Sequence, residues 1–404
     1  MSMERKNAGT QERRNARQAR PPALRHACAL ARLRPARLRP SVAALLRASA
    51  PALLLLAGCL PSSGRRDDRS LVPSDSASVA LAATVPGDTL ALGWEAAARP
   101  DDPMPLPTTI GWAGVGDAAR IVVVETKEGS VRLFTPSGRQ ARHVSTGGGP
   151  ESYPYLAGIR RGARTATGAS VDTAVVLERG TNRLAFVPLD SSGAVRRIAV
   201  PPGASAALAT DAALYVRTGG GADREPAFLV RVGERGRVAA RVPFRGQPWR
   251  ASGFLRAWNG GVAALSGYRP VVDVLRPGGA AGAQLDTLAL RGFASPALVR
   301  SAQFMRGDAK QPPLLTSSAA TLGPDLFALN VRDDHVRLDV YGADGALRRV
   351  LVSPGPWSML AYVPVDVAAR RVGAVTEFAV LMQRPSGLVQ RADSRIVLYR
   401  WREG

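Results

Sequence analysis

Lysine, histidine and cysteine are almost missing from this chain. Only Lys6, Lys127 and Lys310 are lysines, so nearly all of the 54 basic residues are arginine, in the Ala-, Gly- and Pro-rich setting of GC-rich coding. The formal charge of +22 invites a nucleic-acid reading, but its distribution excludes one. Twelve of the basic residues lie within residues 1–50, against Glu4 and Glu12 alone; from Cys59 onward 42 basic face 30 acidic residues, scattered along the chain. A spread charge attracts anionic surfaces weakly and builds no groove, so no specific nucleic-acid partner is expected. The cysteines are Cys28 and Cys59. If the segment before Cys59 is removed, one remains, and an internal disulfide is excluded.

The usual signatures of chemistry are lacking too. Three histidines, with no His/Cys spacing, offer no zinc site. Asp333-Asp334-His335 is the most ligand-like local cluster, but it sits in a loop after a strand, where a solvated charge cluster is the ordinary reading. There is no D-x-D-x-D-G calcium loop, no G-x-S-x-G, no P-loop and no G-x-G-x-x-G between a strand and a helix. No catalytic residue, metal ligand or cofactor is therefore assigned. Nor does any apolar run approach the ~20 residues of a spanning helix.

What is present is a repeat, clearest at Ile121–Val144: IVVVETKEGSVRLFTPSGRQARHV. It reads strand, loop, strand, tight turn, strand. Val131–Phe134 alternates, and Pro136-Ser137-Gly138 is turn chemistry. An apolar run ending in a polar residue recurs before Glu125, Glu178, Arg217, Ser266, Asn330 and Gln383, at gaps of 53, 39, 49, 64 and 53 residues. A further strand follows each: Val131–Phe134, Leu184–Val187, Phe228–Val232, Val271–Leu275, Val336–Tyr341 and Ile396–Tyr399. Five of these lead to hairpin turns (TPSGR, LDSSG, GERGR, RPGGA, GADGA) and a fourth strand. A period near 50 with three or four short strands per unit is the pattern of propeller blades. The sixth unit stops at Trp401–Gly404 without its fourth strand. An open edge is a liability, and Asp88–Trp94 (DTLALGW) is spare. The expectation is an all-β, six-bladed β-propeller over residues 85–404, with Asp88–Trp94 closing the last blade against Arg395–Trp401.

Ahead of it, residues 1–40 are polar and aperiodic, a disordered arm or a stretch upstream of the true start. Residues 41–58 read as a signal peptide: Arg37 and Arg39 just ahead of it, with Arg47, make the positive flank, and a short apolar stretch is closed by Leu53–Leu56. Residues 59–84 are polar and Ser-rich, the composition of a flexible tether. Ser295–Gly307 reads as a helix with Ser295 as N-cap and Gly307 beyond its end, placed to act as a lid or a plug. Pro354-Gly355-Pro356-Trp357 begins a second, irregular insert.

Two resemblances sharpen this. Leu56-Ala57-Gly58-Cys59 resembles the bacterial lipobox, which implies cleavage before Cys59 and lipidation of its thiol. Glu178-Arg179-Gly180-Thr181-Asn182-Arg183-Leu184 is similar to the NHL-type repeat, with Glu178 for its Asp and Asn182 one place late; Phe134–Arg139 and Gly147-Gly148-Gly149-Pro150-Glu151 resemble that family's turn and inter-blade loop. The resemblance implies a six-bladed fold and an ion pair between Glu178 and Arg183 that orders its own loop. It implies no ligand, since these motifs are structural.

In a propeller the ends of the second strands converge around the axis. The candidate channel-face residues are thus Glu125, Glu178, Arg179, Arg217, Tyr268, Asn330, Arg332 and Gln383. This mixture suits a polar ligand or a protein loop. The reading is a non-catalytic binding or scaffold module of the bacterial cell envelope, on its periplasmic or outer-surface side, monomeric, with the membrane as partner through its lipid and an envelope protein or small polar ligand as its other partner. The alternative is a metal-dependent hydrolase or lyase of the gluconolactonase-like propeller type.

Overall fold

The computed structural model describes residues 75–97, 104, 106–162, 172–190, 193–219, 226–245, 252–276, 285–332, 334–355, 362–384 and 394–403. The arm, the apolar stretch, Cys59, Asp333 and most of the insert begun by Pro354 lie outside them.

Five blades are consecutive four-stranded antiparallel meanders. Blade 1 holds β3 (Pro107–Ala113), β4 (Arg120–Glu125), β5 (Ser130–Phe134) and β6 (Gln140–Ser145). Blade 2 holds β7 (Pro154–Arg160), β8 (Thr173–Glu178), β9 (Arg183–Pro188) and β10 (Arg196–Ala199). Blade 3 holds β11 (Ala204–Ala209), β12 (Leu214–Thr218), β13 (Phe228–Val232) and β14 (Val238–Pro243). Blade 4 holds β15 (Gly253–Trp258), β16 (Gly261–Ser266), β17 (Val271–Leu275) and β18 (Asp286–Ala289). Blade 5 holds β19 (Thr316–Leu322), β20 (Asp325–Asn330), β21 (Arg337–Tyr341) and β22 (Leu347–Val352).

Blade 6 is built from both ends of the chain: β23 (Val363–Val372), β24 (Val375–Gln383), β25 (Ser394–Arg402) and, outermost, β2 (Ala91–Ala97). The closing strand is shifted from the expected Asp88–Trp94. Its register runs from Ala91 opposite Arg400 to Ala97 opposite Arg395. Asp88 belongs instead to β1 (Gly87–Thr89), which pairs in parallel with β22 of blade 5. Buried Leu90 lies between the two, where its N–H bonds Val352 O at 2.8 Å. The N-terminal segment therefore ties two blades. Asp88 accepts from Trp401 Nε1 at 2.9 Å and Arg349 Nη1 at 2.7 Å, and these bonds hold its carboxyl below the ordinary aspartate range.

Burial explains why the second strands were the legible ones. A blade is covered on both faces by its neighbours, so the central four residues of β4, β8 and β20 are all apolar and buried, whereas the outer strand β6 alternates between half-buried and exposed. The core is accordingly a ring of six clusters, one in each gap between blades. Leu133 and Val176 meet between blades 1 and 2, Val175 and Val216 between 2 and 3, Leu208 and Val262 between 3 and 4. Leu265 and Phe327's neighbour Leu326 meet between 4 and 5, Phe327 and Phe378 between 5 and 6, and Leu381 and Val123 between 6 and 1.

Three of the expected turns share one hydrogen-bond pattern. In TPSGR, GERGR and GADGA the glycine N–H bonds back three residues, and Gly138, Gly236 and Gly345 take positive φ beside a bulge in the following pairing. Parts of LDSSG and RPGGA lie outside the described residues.

Among the described residues, two α-helices accompany the blades. Within the stretch read as a tether, α1 (Asp75–Thr84) is helical, and Ala82 and Val85 pack against the core between blades 4 and 5. The insert after β18 forms α2 (Leu298–Arg306), which ends at Gly307 in left-handed conformation as expected, but starts after Ala297. Ser295 sits too far upstream to cap it: its hydroxyl accepts the Ala297 N–H while its carbonyl accepts that of Leu298. Among the described residues no helix is long and apolar enough to cross a membrane.

Candidate functional site

The first strands of the blades line the axis, and their pairing is deformed there. In β3, β7, β11, β19 and β23 the register slips by one residue, between Pro107 and Thr109, Leu156 and Gly158, Ala204 and Ala206, Thr316 and Ser318, and Pro364 and Asp366. A bulge inserts an unpaired residue and re-aims side chains. It puts hydroxyls beside the axis: Thr108 Oγ1 donates to Pro154 O of the next blade at 3.1 Å, and Ser205 Oγ accepts from Arg217 Nε at 3.1 Å.

A cavity of about 330 Å³ opens at the end of the axis where the second strands finish. Its wall takes Thr108 and Thr109 from blade 1, Tyr155 and Arg179 from blade 2, Ser252, Phe254 and Tyr268 from blade 4, Thr316, Ser317 and Ser318 from blade 5, and Asp366 and Gln383 from blade 6. Of the eight candidates read from sequence, the wall holds Arg179, Tyr268 and Gln383. Arg179 is exposed at the rim, with its guanidinium 5.7 Å from the Tyr155 ring centroid and Nε 3.4 Å from Tyr153 O. The Gln383 amide donates to Pro107 O, linking blades 6 and 1.

The other five lie away from the wall. Glu125 is fully buried, and its carboxylate accepts the N–H groups of Leu106 (2.9 Å), Lys127 (3.0 Å) and Glu128 (2.7 Å), closing the turn after β4. Glu178 is buried too, but its partner is Arg197 on β10, whose Nε lies 3.2 and 3.1 Å from the two carboxylate oxygens; the expected pairing with Arg183 gives way to it. Arg197 reaches on to Thr146 O of blade 1. The Gly147–Glu151 loop makes this lock possible, because a Cβ on Gly148 would lie 2.5 Å from Glu178 Oε1. Asn330 and Arg332 pin the insert ahead of α2, both donating to Ala294 O, at 2.9 and 2.5 Å. Burial, with Arg337 nearby, brings the Arg332 pKa down to about 10. No residue of α2 lines the cavity, and buried Leu298 packs between blades 4 and 5, so the insert is a plug and not a lid.

Arg217 is the fifth. It is 4% exposed, at the end of β12, and donates Nη2 to Gly253 O of the cavity wall at 2.6 Å. Its Nη1 finds no acceptor among the described residues, and desolvation lowers its pKa to about 10.

Sequence reasoning missed the centre of the site. Asp366, 3% exposed on β23, gathers donors from four blades. Its oxygens accept Ile110 N–H of blade 1 (2.8 Å), Arg256 Nη2 of blade 4 (3.0 Å), the Ser318 hydroxyl of blade 5 and the N–H of its neighbour Val367 (2.9 Å). Desolvation still outweighs these bonds and holds its carboxyl above the ordinary aspartate range. The available signal was an acid inside an apolar first strand, VPVDVA, which a search restricted to second-strand ends passes over. His335 and Asp334 pair at 2.5 Å in their loop, well apart from this constellation in the chain and absent from the cavity wall.

No protein-family profile matches the sequence, and no curated protein does. Among solved structures, the chain is similar to a DUF4221 family member from Bacteroides vulgatus (11% identity, 78% of this chain and 98% of that one, TM-score 0.45). It is also similar to a putative exported protein from Bacteroides fragilis (9%, 82% and 97%, TM-score 0.44) and to the calcium-binding protein regucalcin from Agrobacterium tumefaciens (9%, 78% and 97%, TM-score 0.40). At such identities and scores the likeness bears on neither activity nor ligand. The chain is a six-bladed all-β propeller closed by its own N-terminal strand.

Proposed function

We propose that this propeller is a non-catalytic binding module, held at the bacterial envelope by a lipid on Cys59, that takes a polar ligand at the mouth of its axis. The axial cavity carries this reading. Its volume suits a small molecule, its wall offers hydroxyl, phenol, amide and guanidinium groups on strands and the loops that follow them, and the one acid among the wall's described residues, Asp366, is committed to cross-blade bonds. The Leu56-Ala57-Gly58-Cys59 motif supports the anchor, since acyl chains bind at roughly 0.8 kcal/mol per buried CH₂.

The residues present do not fit a channel metal of the hydrolase alternative. Glu125 is saturated by the backbone of its own loop and Glu178 by Arg197 of β10, and among the described residues no three His, Cys, Asp or Glu side chains converge.

Thermal-shift titration against sugars, polyols, amino acids and organic acids tests the binding reading. A ligand at 100 times its Kd adds about 2.7 kcal/mol, so a saturable rise in Tm, lost in Tyr268→Ala, is expected. A flat response across the panel refutes it. For the anchor, Cys59→Ser is expected to leave the membrane fraction, and retention there refutes lipidation.

A further inference from the structure

We infer that the axial cavity takes a neutral saccharide, a mono- or disaccharide, with the hydroxyls of Tyr268, Ser252 and Ser317 among its contacts. This rests on the binding reading and names its ligand class.

The first ground is how the wall is made. Thr108, Ser317 and Val365 are the residues that the register slips of β3, β19 and β23 leave unpaired, and all three line the cavity. A bulge gives up ladder pairing to re-aim a residue, and bulges recur beside binding sites. Here three blades give it up around one mouth.

The second ground is unused hydrogen-bonding capacity. Among the described residues, the hydroxyls of Ser252 and Tyr268 meet no partner. Ser317 Oγ has only Leu329 O, at 3.5 Å. Gln383 commits its amide nitrogen to Pro107 O and keeps its oxygen, and Arg179 commits Nε alone, to Tyr153 O. All five side chains line the cavity and none is fully buried. Hydroxyls both donate and accept, as those of a sugar do, so the two sets can satisfy each other. The same wall includes Phe254, Leu314, Val365 and the Tyr155 ring. A sugar ring needs both: polar partners for its rim of hydroxyls and apolar contact for its C–H faces.

The third ground is charge. Among the wall's described residues Arg179 is the only cation, and it stands at the exposed rim; buried Arg217 and Arg269 are not wall residues. The wall's acid, Asp366, opposes a ligand carboxylate, and Arg256, 3.0 Å from that acid, opposes an ammonium group. A charged ligand would leave water without a dedicated counterion, which is costly; a neutral one avoids this. The volume of about 330 Å³ lies at the small end of ligand sites, about 300–1,000 Å³, and suits a mono- or disaccharide.

The test is calorimetry on the protein with glucose, galactose, mannose, N-acetylglucosamine, maltose and cellobiose, against succinate, citrate, alanine and lysine as charged probes. At least one saccharide is expected to bind, more tightly than any charged probe, with an affinity that holds from low to high salt because no ion pair carries it. Tyr268→Phe and Ser317→Ala each remove one hydroxyl and little else. Each is expected to weaken that sugar about 2–10-fold, the effect of one neutral hydrogen bond, with the Tm of the unliganded protein unchanged. Ser252→Ala serves if either variant fails to fold. A sugar whose affinity none of the three variants shifts binds elsewhere, and the placement is overturned. An affinity that falls with salt, or tighter binding of a charged probe than of every sugar, overturns the neutral-saccharide assignment and leaves the binding reading standing. Silence from the sugars alone does the same; silence from the whole panel overturns both.

Discussion

Replacing Asp366 with alanine is expected to cost about 3–5 kcal/mol, because this carboxylate is where blades 1, 4, 5 and 6 meet. Its removal leaves the buried Ile110 N–H without an acceptor and Arg256 without a counterion. Breaking a buried ion pair from one side costs about that much, most of it the penalty of the orphaned charge; an unpaired buried N–H alone costs about 1–3 kcal/mol. Single domains hold only about 5–15 kcal/mol in all, so the change is large. Equilibrium urea unfolding reads it as a drop in midpoint, with the slope reporting whether blades begin to unfold separately. The decisive variant is the double one, Arg256→Met with Asp366→Leu. If the hub acts through its charge pair, removing both charges destabilises less than Asp366→Ala alone, with a coupling of at least about 1 kcal/mol. A loss under about 0.5 kcal/mol for Asp366→Ala, or strict additivity in the cycle, refutes this account of how the ring is held.

Three further outcomes follow from other contacts. The Asp88 carboxyl is held low by Trp401 and Arg349; a depressed aspartate contributes stability above its unfolded pKa of about 3.9 and loses it as pH falls through the folded value. Asp88→Asn should therefore melt below the parent at pH 7, with the gap closing under acid; a gap independent of pH refutes the linkage. Excising residues 87–97 removes β1 and β2 and opens blade 6, so calorimetry should show loss of the single cooperative transition, and a truncate that melts like the parent refutes closure by this segment. Gly148→Ala places a methyl against Glu178 Oε1 and is expected to cost about 1–3 kcal/mol by overpacking the Glu178–Arg197 lock; no change in urea midpoint means the loop yields freely.

The amino-acid order by itself determined the blades. IVVV, LFAL and AVLM had to be strands covered on both faces, because a short apolar run with no polar alternation, bounded by turn residues, has no solvated side to offer. Glycine after Ser137, Arg235 and Asp344 fixed the hairpins, since each turn needs positive φ there. The missing last strand followed from counting, though not the register of its replacement: nothing local separates DTL from ALGWEAA, and only the approach of β22 on one side and β25 on the other divides them into two strands. The axial site was the part that tertiary structure decided. Second-strand ends were the natural place to look, yet Glu125 and Glu178 turned inward to neighbouring backbone and to Arg197, partners distant or invisible by spacing. Asp366 met Arg256, 110 positions away, only because six sheets closed into a ring. Local pattern fixes what a strand buries; which charges face one another across the axis depends on the closure of the whole.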